Sequence, residues 1–153
     1  MTQSFQINAP LLEEADREAR NLGHVWVGPE HLFLAIASNP EPLAQAFLDQ
    51  NGLASSSLRQ SVNELIGPPP GPPAPNDVPL TIGLRAHVAI TTAMREAKSR
   101  GRGAEVYSQV DLLNALFTDE VATPALVGGM LERVGLSPAA ARAQLAALSK
   151  SAT

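Results

Sequence analysis

The chain has 153 residues, is 44% hydrophobic but only 4% aromatic, contains no cysteine, and carries a formal net charge of −4. That length suits one compact domain or two small packed halves. The lack of thiols excludes disulfides and thiolate metal sites. No apolar run approaches the roughly 20 residues a bilayer span needs, and the start MTQSFQINAP has no basic or apolar signal region, so a soluble cytoplasmic protein with no membrane partner is expected.

The charge is uneven. Residues 1–66 carry eight acids against three bases, and residues 67–153 seven against eight. An acidic first half speaks against nucleic acid as a partner.

In chain order, Asn8 to Leu22 reads as an amphipathic helix with Leu11, Leu12, Ala15, Ala19 and Leu22 on one face, ended by Gly23 as a C′ glycine. His24, directly after it, is expected in a surface turn, and Trp26 as a buried anchor of the loop. Gly28-Pro29 opens a second helix, with proline favoured at its first position. Glu30 suits the positive helix start, His31 is expected to bond a neighbouring helix, and residues 32–36 are core. Asn39-Pro40 opens a third helix, which Gly52 closes. A fourth runs from about Ser55 to Ile66.

Next comes GPPPGPPAPNDVP, residues 67–79. Prolines this dense fit neither a helix nor an inner strand, so the stretch reads as a semi-rigid connector. It divides the chain into 1–66 and 80–153. The second part repeats the helical scheme. Ser108 with Asp111 resembles a capping box, and Thr123-Pro124 and Ser137-Pro138 are cap-plus-proline starts. No strand hairpin is evident.

The two parts are related by duplication. REARNLG (17–23) matches REAKSRG (95–101), pairing Glu18 with Glu96, Ala19 with Ala97 and Gly23 with Gly101. LAQAFLDQNGL (43–53) matches LVGGMLERVGL (126–136), pairing Gly52 with Gly135 and, further on, Arg59 with Arg142. Equivalent places in both repeats suggest a structural ion-pair role for the two arginines. The expected fold is all-α: two four-helix repeats packed as one pseudo-twofold globule.

Catalytic signatures are missing. There is no G-x-x-x-x-G-K-[ST] phosphate loop, and GPPPGPP cannot replace it because proline lacks the N–H that cradles phosphate. His24 and His31 sit seven apart across a loop, are not H-E-x-x-H, and share no helix face by spacing, so no metal site is expected. No serine lies in a nucleophile-elbow context. No enzyme and no cofactor are expected.

LGHVWVGPEHLFLAI, residues 22–36, resembles the signature of the Clp repeat, the N-terminal domain of Clp-family AAA+ chaperones such as ClpC. The family pattern is approximately LGH-x-x-(I/V)-G-(T/S)-E-H-(I/L)-L-L-x-L. RAHVAITTAMREAKSRG (85–101) and ERVGLSPAAARAQL (132–145) resemble the same family. The resemblance runs from about Phe5 to Leu148. It implies a tandem four-helix fold and a non-catalytic module that receives protein substrates and adaptors and modulates Clp-dependent proteolysis. It also implies docking of cyclic-peptide antibiotics, so that a sequestering role protecting a Clp ATPase is the alternative function.

In ClpC-type domains each repeat also binds phosphoarginine through the glutamate of the motif, which by resemblance is Glu30. A carboxylate can pair with a guanidinium fork, and N–H groups at a helix start can take a phosphate. In the second repeat Val110 stands in the glutamate's place, with Asp111 at that of His31, which leaves at most the first repeat for phosphoarginine. Pro29, where the family often has threonine, removes a hydroxyl and an N–H. The interaction surface implied by the resemblance joins Phe5, Glu30 and His31 with Leu80, Arg85 and His87 at the start of the second repeat. Core packing is the competing role for Phe5 and Leu80. With no ATPase segment before Thr153, the sequence reads as a free-standing Clp repeat protein.

Overall fold

A computed structural model describes residues 9–66, 80–99, 109–118 and 126–151. Its helices are α1 (Ala9–Asn21), α2 (Pro29–Ser38), α3 (Pro42–Gln50), α4 (Ser55–Ile66), α5 (Leu84–Ser99), α6 (Gln109–Leu116), α7 (Leu126–Glu132) and α8 (Pro138–Ser151). Two short strands, β1 (Trp26–Val27) and β2 (Thr81–Ile82), pair in parallel with Trp26 opposite Thr81 and Val27 opposite Ile82. The fold is all-α, with four helices before and four after residues 67–79 among the described residues. Residues 67–79, Ser108 and Thr123-Pro124 lie outside the described residues.

Gly23 and Gly52, read from the sequence as helix stops, and Gly135, the repeat partner of Gly52, explain the chain reversals. Gly23, Gly52 and Gly135 adopt φ of 79°, 66° and 73°, which side chains with a Cβ resist. Each makes the Schellman pair of hydrogen bonds. Gly52 N–H donates to the Asp49 carbonyl at 3.3 Å and Leu53 N–H to that of Leu48 at 2.8 Å. In the second repeat Gly135 and Leu136 do the same to Glu132 and Leu131, at 2.9 and 3.1 Å. The third helix of both repeats therefore ends in the same way, as the duplication requires.

The helix starts are more varied. Ser137 caps α8, its Oγ accepting from Ala140 N–H at 3.1 Å. The third helix corrects the sequence reading: it begins at Pro42, with Glu41 as N-cap, rather than at Asn39-Pro40. Both prolines are compatible with a helix start, and the backbone uses the later one.

Helix α2 is the centre of the globule. Every residue from Pro29 to Ile36 is buried, and α1, α3, α4, α5, α6 and α7 all pack on it. Its apolar character all round is what such a position demands. The most extensive helix pairs are α1 on α2 and α5 on α6, again equivalent in the two repeats. Alanines permit this close approach: Ala15 and Ala19 on α1, and Ala86, Ala89, Ala93 and Ala97 on α5, are all fully buried.

Three phenylalanines join the repeats. Phe117 lies edge-on to Phe33 of α2, with ring centroids 5.4 Å apart, and tilted against Phe47 of α3 at 5.6 Å. All three are completely buried, so each contributes its full transfer term. Polar ties reinforce the joint. Gln109 N–H at the start of α6 donates to Glu41 Oε1 at 3.1 Å, while Glu41 N–H donates to Gln109 Oε1 at 2.6 Å. Each repeat thus caps a helix start of the other.

Candidate functional site

Gly23 turns the chain back over α1, and His24 N–H closes the reversal on the Ala19 carbonyl at 2.9 Å. This carries the His24 ring inward. The side chain expected in a surface turn is 2% exposed, a correction whose cause is the Schellman geometry. Trp26 stacks on it, centroids 4.7 Å apart and planes 8° from parallel. Trp26 is half-buried rather than fully enclosed.

The chain then runs extended through β1 to Gly28, whose φ of −109° and ψ of 179° make it the N-cap of α2. Pro29 takes the first helical position. His31, three residues past the cap, folds its ring back so that Nδ1 accepts the Gly28 N–H at 2.8 Å. This is one half of a capping box, with imidazole in the usual place of a carboxylate. His31 was expected to bond a neighbouring helix; it bonds its own N-cap, and its Nε2 lies 2.7 Å from His24 Nδ1. The two histidines share no helix face, yet the turn brings them into contact.

The directions of these bonds follow from one fact. A backbone N–H can only donate, so His31 Nδ1 carries a lone pair. His31 Nε2 then carries the proton and donates it to His24 Nδ1. Both rings are neutral in this arrangement. Burial holds both below the ordinary histidine range: His24 is lowered, and His31, 0% exposed and next to a second imidazole, is pushed down to about 3.

Glu30 completes the cluster. It is 6% exposed, and its carboxylate folds over the helix start so closely that a Cβ on Gly28 would stand 2.7 Å from Oε1. Among the described residues its side-chain donor is the Trp26 indole, Nε1 to Oε2 at 3.3 Å. His31 Nδ1 is 3.8 Å from the same oxygen, but as a neutral acceptor it supplies no charge. With burial dominant, the Glu30 carboxyl is raised above its usual range despite bonds from its own backbone and Trp26.

The β1–β2 ladder sets this turn beside the start of the second repeat, and Gly83 N–H extends it to the Val27 carbonyl at 2.8 Å. Leu80 is partly buried against the core. Arg85 and His87, in the first turn of α5, are exposed. Two large apolar side chains stand at the ends of the ladder: Val25, 51% exposed, and Leu84, 78% exposed. Phe5 lies outside the described residues. Of the residues singled out from the sequence, the structure places Glu30, His31, Leu80, Arg85 and His87 around one ladder, with His31 wholly interior.

Among the described residues, the second repeat has other side chains at the matching helix start. Val110 is buried where Glu30 stands in the first repeat, and Asp111 is buried at the position of His31. Sequence reading passed over the inward role of His24 and the charge of Glu18. Glu18 is 1% exposed and receives Arg59 Nε at 2.7 Å, Arg59 Nη2 at 2.7 Å and Ser38 Oγ at 2.8 Å. The Arg59 guanidinium holds its carboxyl below the usual range. A C′ glycine directly before His24 was the available signal for the first; the heptad-like place of Glu18 between Ala15 and Ala19 on the apolar face was the signal for the second.

Fold and site together define a two-repeat helical domain whose distinctive polar residues gather at one buried helix start. Residues 1–128 match the model of the Clp repeat (R) N-terminal domain, and the chain belongs to that family. The chaperone protein ClpB of Oceanobacillus iheyensis is 37% identical over 57 residues, 37% of this chain and 7% of that protein. The negative regulator of genetic competence ClpC/MecB of Bacillus subtilis is matched with the same identity and coverage. The chain thus spans about 7% of the length of these relatives. The N-terminal domain of ClpD from Arabidopsis thaliana superposes with a TM-score of 0.71 at 16% identity, covering 96% of this chain and 98% of that one. The Hsp104 N-terminal domain from Candida albicans gives 0.69 at 17% identity, over 94% and 89%.

Proposed function

We infer that the protein is a non-catalytic module that binds protein segments or adaptors and so modulates Clp-dependent proteolysis. The observation that carries this reading is Glu30: a carboxylate held at the head of the central helix, with no cationic side chain on it among the described residues. A buried carboxylate without a countercharge is costly to keep, and a partner's cation would relieve that cost. Exposed Leu84 and Val25 at the ends of the β1–β2 ladder offer apolar contact, so a segment combining a basic with an apolar side chain suits this face.

Phosphoarginine is the specific form of this reading at the first repeat. Its guanidinium would pair with Glu30, and its phosphate would need the helix start. Pro29 withholds one N–H there, and Glu30 itself covers Gly28, so the carboxylate must swing outward to admit the ligand. The second repeat, with Val110, offers no such pairing. Calorimetric titration with phosphoarginine tests this. One saturable site in the native protein, lost in Glu30→Ala, supports a tag-receiving pocket. A flat titration overturns the phosphoarginine form and leaves binding of adaptors to the ladder face.

Sequestration of a cyclic-peptide antibiotic is a second reading, supported by the exposure of Leu84 and Val25. Antibiotic binding lost in Leu84→Asp but kept in Glu30→Ala would favour it over the first.

A further inference from the structure

We propose that the neutral His24–His31 pair is an acid-sensitive latch: it holds the Gly28 turn closed, a proton on either ring breaks one bond of the chain and loosens the turn, and a proton on His31 draws Glu30 onto it. The chain of hydrogen bonds runs one way, from Gly28 N–H to His31 Nδ1 and from His31 Nε2–H to His24 Nδ1. Each acceptor is an imidazole lone pair, and each lone pair is where a proton would add. A proton on His31 Nδ1 sets an N–H against the Gly28 N–H. A proton on His24 Nδ1 sets one against His31 Nε2–H. In either case two donors meet in a buried place, and one bond must break.

The new N–H of a charged His31 has an acceptor nearby in Glu30 Oε2, 3.8 Å away. That carboxylate now receives only the Trp26 indole from a side chain among the described residues. The move would therefore take Glu30 from Trp26, unstack Trp26 from His24, and free β1 from β2.

The surrounding charges permit the switch. On α1, Glu18 favours a charged His31, but its carboxylate is held by Arg59 of α4. On α2 the acid is Glu30. Strands β1 and β2 bring only Trp26, Val27, Thr81 and Ile82. Beyond them, α5 presents Arg85 and His87 at the surface, and α6 carries Asp111, buried. The latch does not depend on what binds the face, and its test needs no partner.

Trp26 is the sole tryptophan, so its fluorescence reports the turn alone. Nitrogen-15 correlation of the imidazoles near pH 7.5 should show both rings neutral with bare Nδ1 atoms. As the pH falls from 6.5 toward about 3, the value to which His31 is pushed, Trp26 emission should shift to the red, and protection of the Gly83 amide should fall by about tenfold while the α6 amides keep theirs. His24→Phe keeps a ring stacked on Trp26 and should abolish the part of the shift that follows His24. A proton on either Nδ1 near pH 7.5 would overturn the latch. So would Gly83 protection that persists until α6 opens with it. Both measurements use the native protein, so they decide the matter even where the variant fails to fold.

Discussion

His31 does the work of a capping side chain from inside the core, and this makes its titration a stability term. Both histidines bind a proton less readily folded than unfolded, where their ordinary value is 6.5. The unfolded chain therefore gains protons first as the pH falls, and stability declines below about 6.5 toward the lower folded values. Glu18 acts in the same direction further down: its folded carboxyl is lowered from 4.5, so its contribution is present above that value and lost on acidification through it. Glu30 opposes both. Its folded carboxyl is raised from 4.5, so it penalises folding as the pH rises through its folded value. Urea denaturation across this range should show a loss of stability on acidification beginning near 6.5, and His24→Phe should reduce it.

Glu30→Gln removes the buried charge and keeps the shape. It should raise stability at neutral pH by about 1 kcal/mol and, on the proposed reading of the site, weaken any partner that pairs with the carboxylate. A denaturation midpoint that falls instead would mean the charge is compensated. Arg59→Met should cost about 2 kcal/mol, because it leaves Glu18 buried and unpaired. The 38% exposure of the Arg59 side chain lets water screen part of that loss.

At the level of elements, the helix stops separate conformation from contact. A Cβ on Gly52 or Gly135 would meet nothing within 4 Å, so alanine there carries only the cost of positive φ, about 1–2 kcal/mol. Gly52→Ala and Gly135→Ala should therefore destabilise to a similar extent in thermal unfolding. Unequal losses would mean that the two Schellman turns differ in the unfolded or folded chain. Gly28 is the opposite case. Its φ suits any residue, and the obstacle is the Glu30 carboxylate. Gly28→Ala should leave the fold intact and push Glu30 from the helix start, which Trp26 emission would report.

Across the whole molecule, the phenylalanine joint makes the repeats one cooperative unit. Phe117→Ala should cost about 3–5 kcal/mol, measured by denaturant unfolding, with the two repeats still melting together because α2 remains packed on helices from both. Separate transitions in the native protein would show the joint to be weaker than its burial implies.

Periodicity and turn chemistry were enough for much of this architecture. The helix α4 span of 55–66, the core run 32–36, the Gly23 and Gly52 stops and the Ser137 cap all depend on residues within one or two turns of each other, so local rules reach them. The repeat matches at Gly52 and Gly135 carried that reading to the pseudo-twofold fold. What no local rule could supply was contact between segments far apart in sequence. The parallel ladder of Trp26–Val27 with Thr81–Ile82 joins stretches on either side of the proline-rich segment, and two-residue strands carry no periodic signal. Glu41 capping α6 and Arg59 reaching Glu18 are long-range bonds of the same kind. The inward turn of His24 depended on the path of the chain after Gly23, and the neutral state of the pair on burial that only the packed helices provide. Local sequence dictates most of the helices, the Gly23 and Gly52 stops and the repeat; which polar side chains meet is settled by tertiary contact, because desolvation and hydrogen-bond direction exist only once the chain has closed around them.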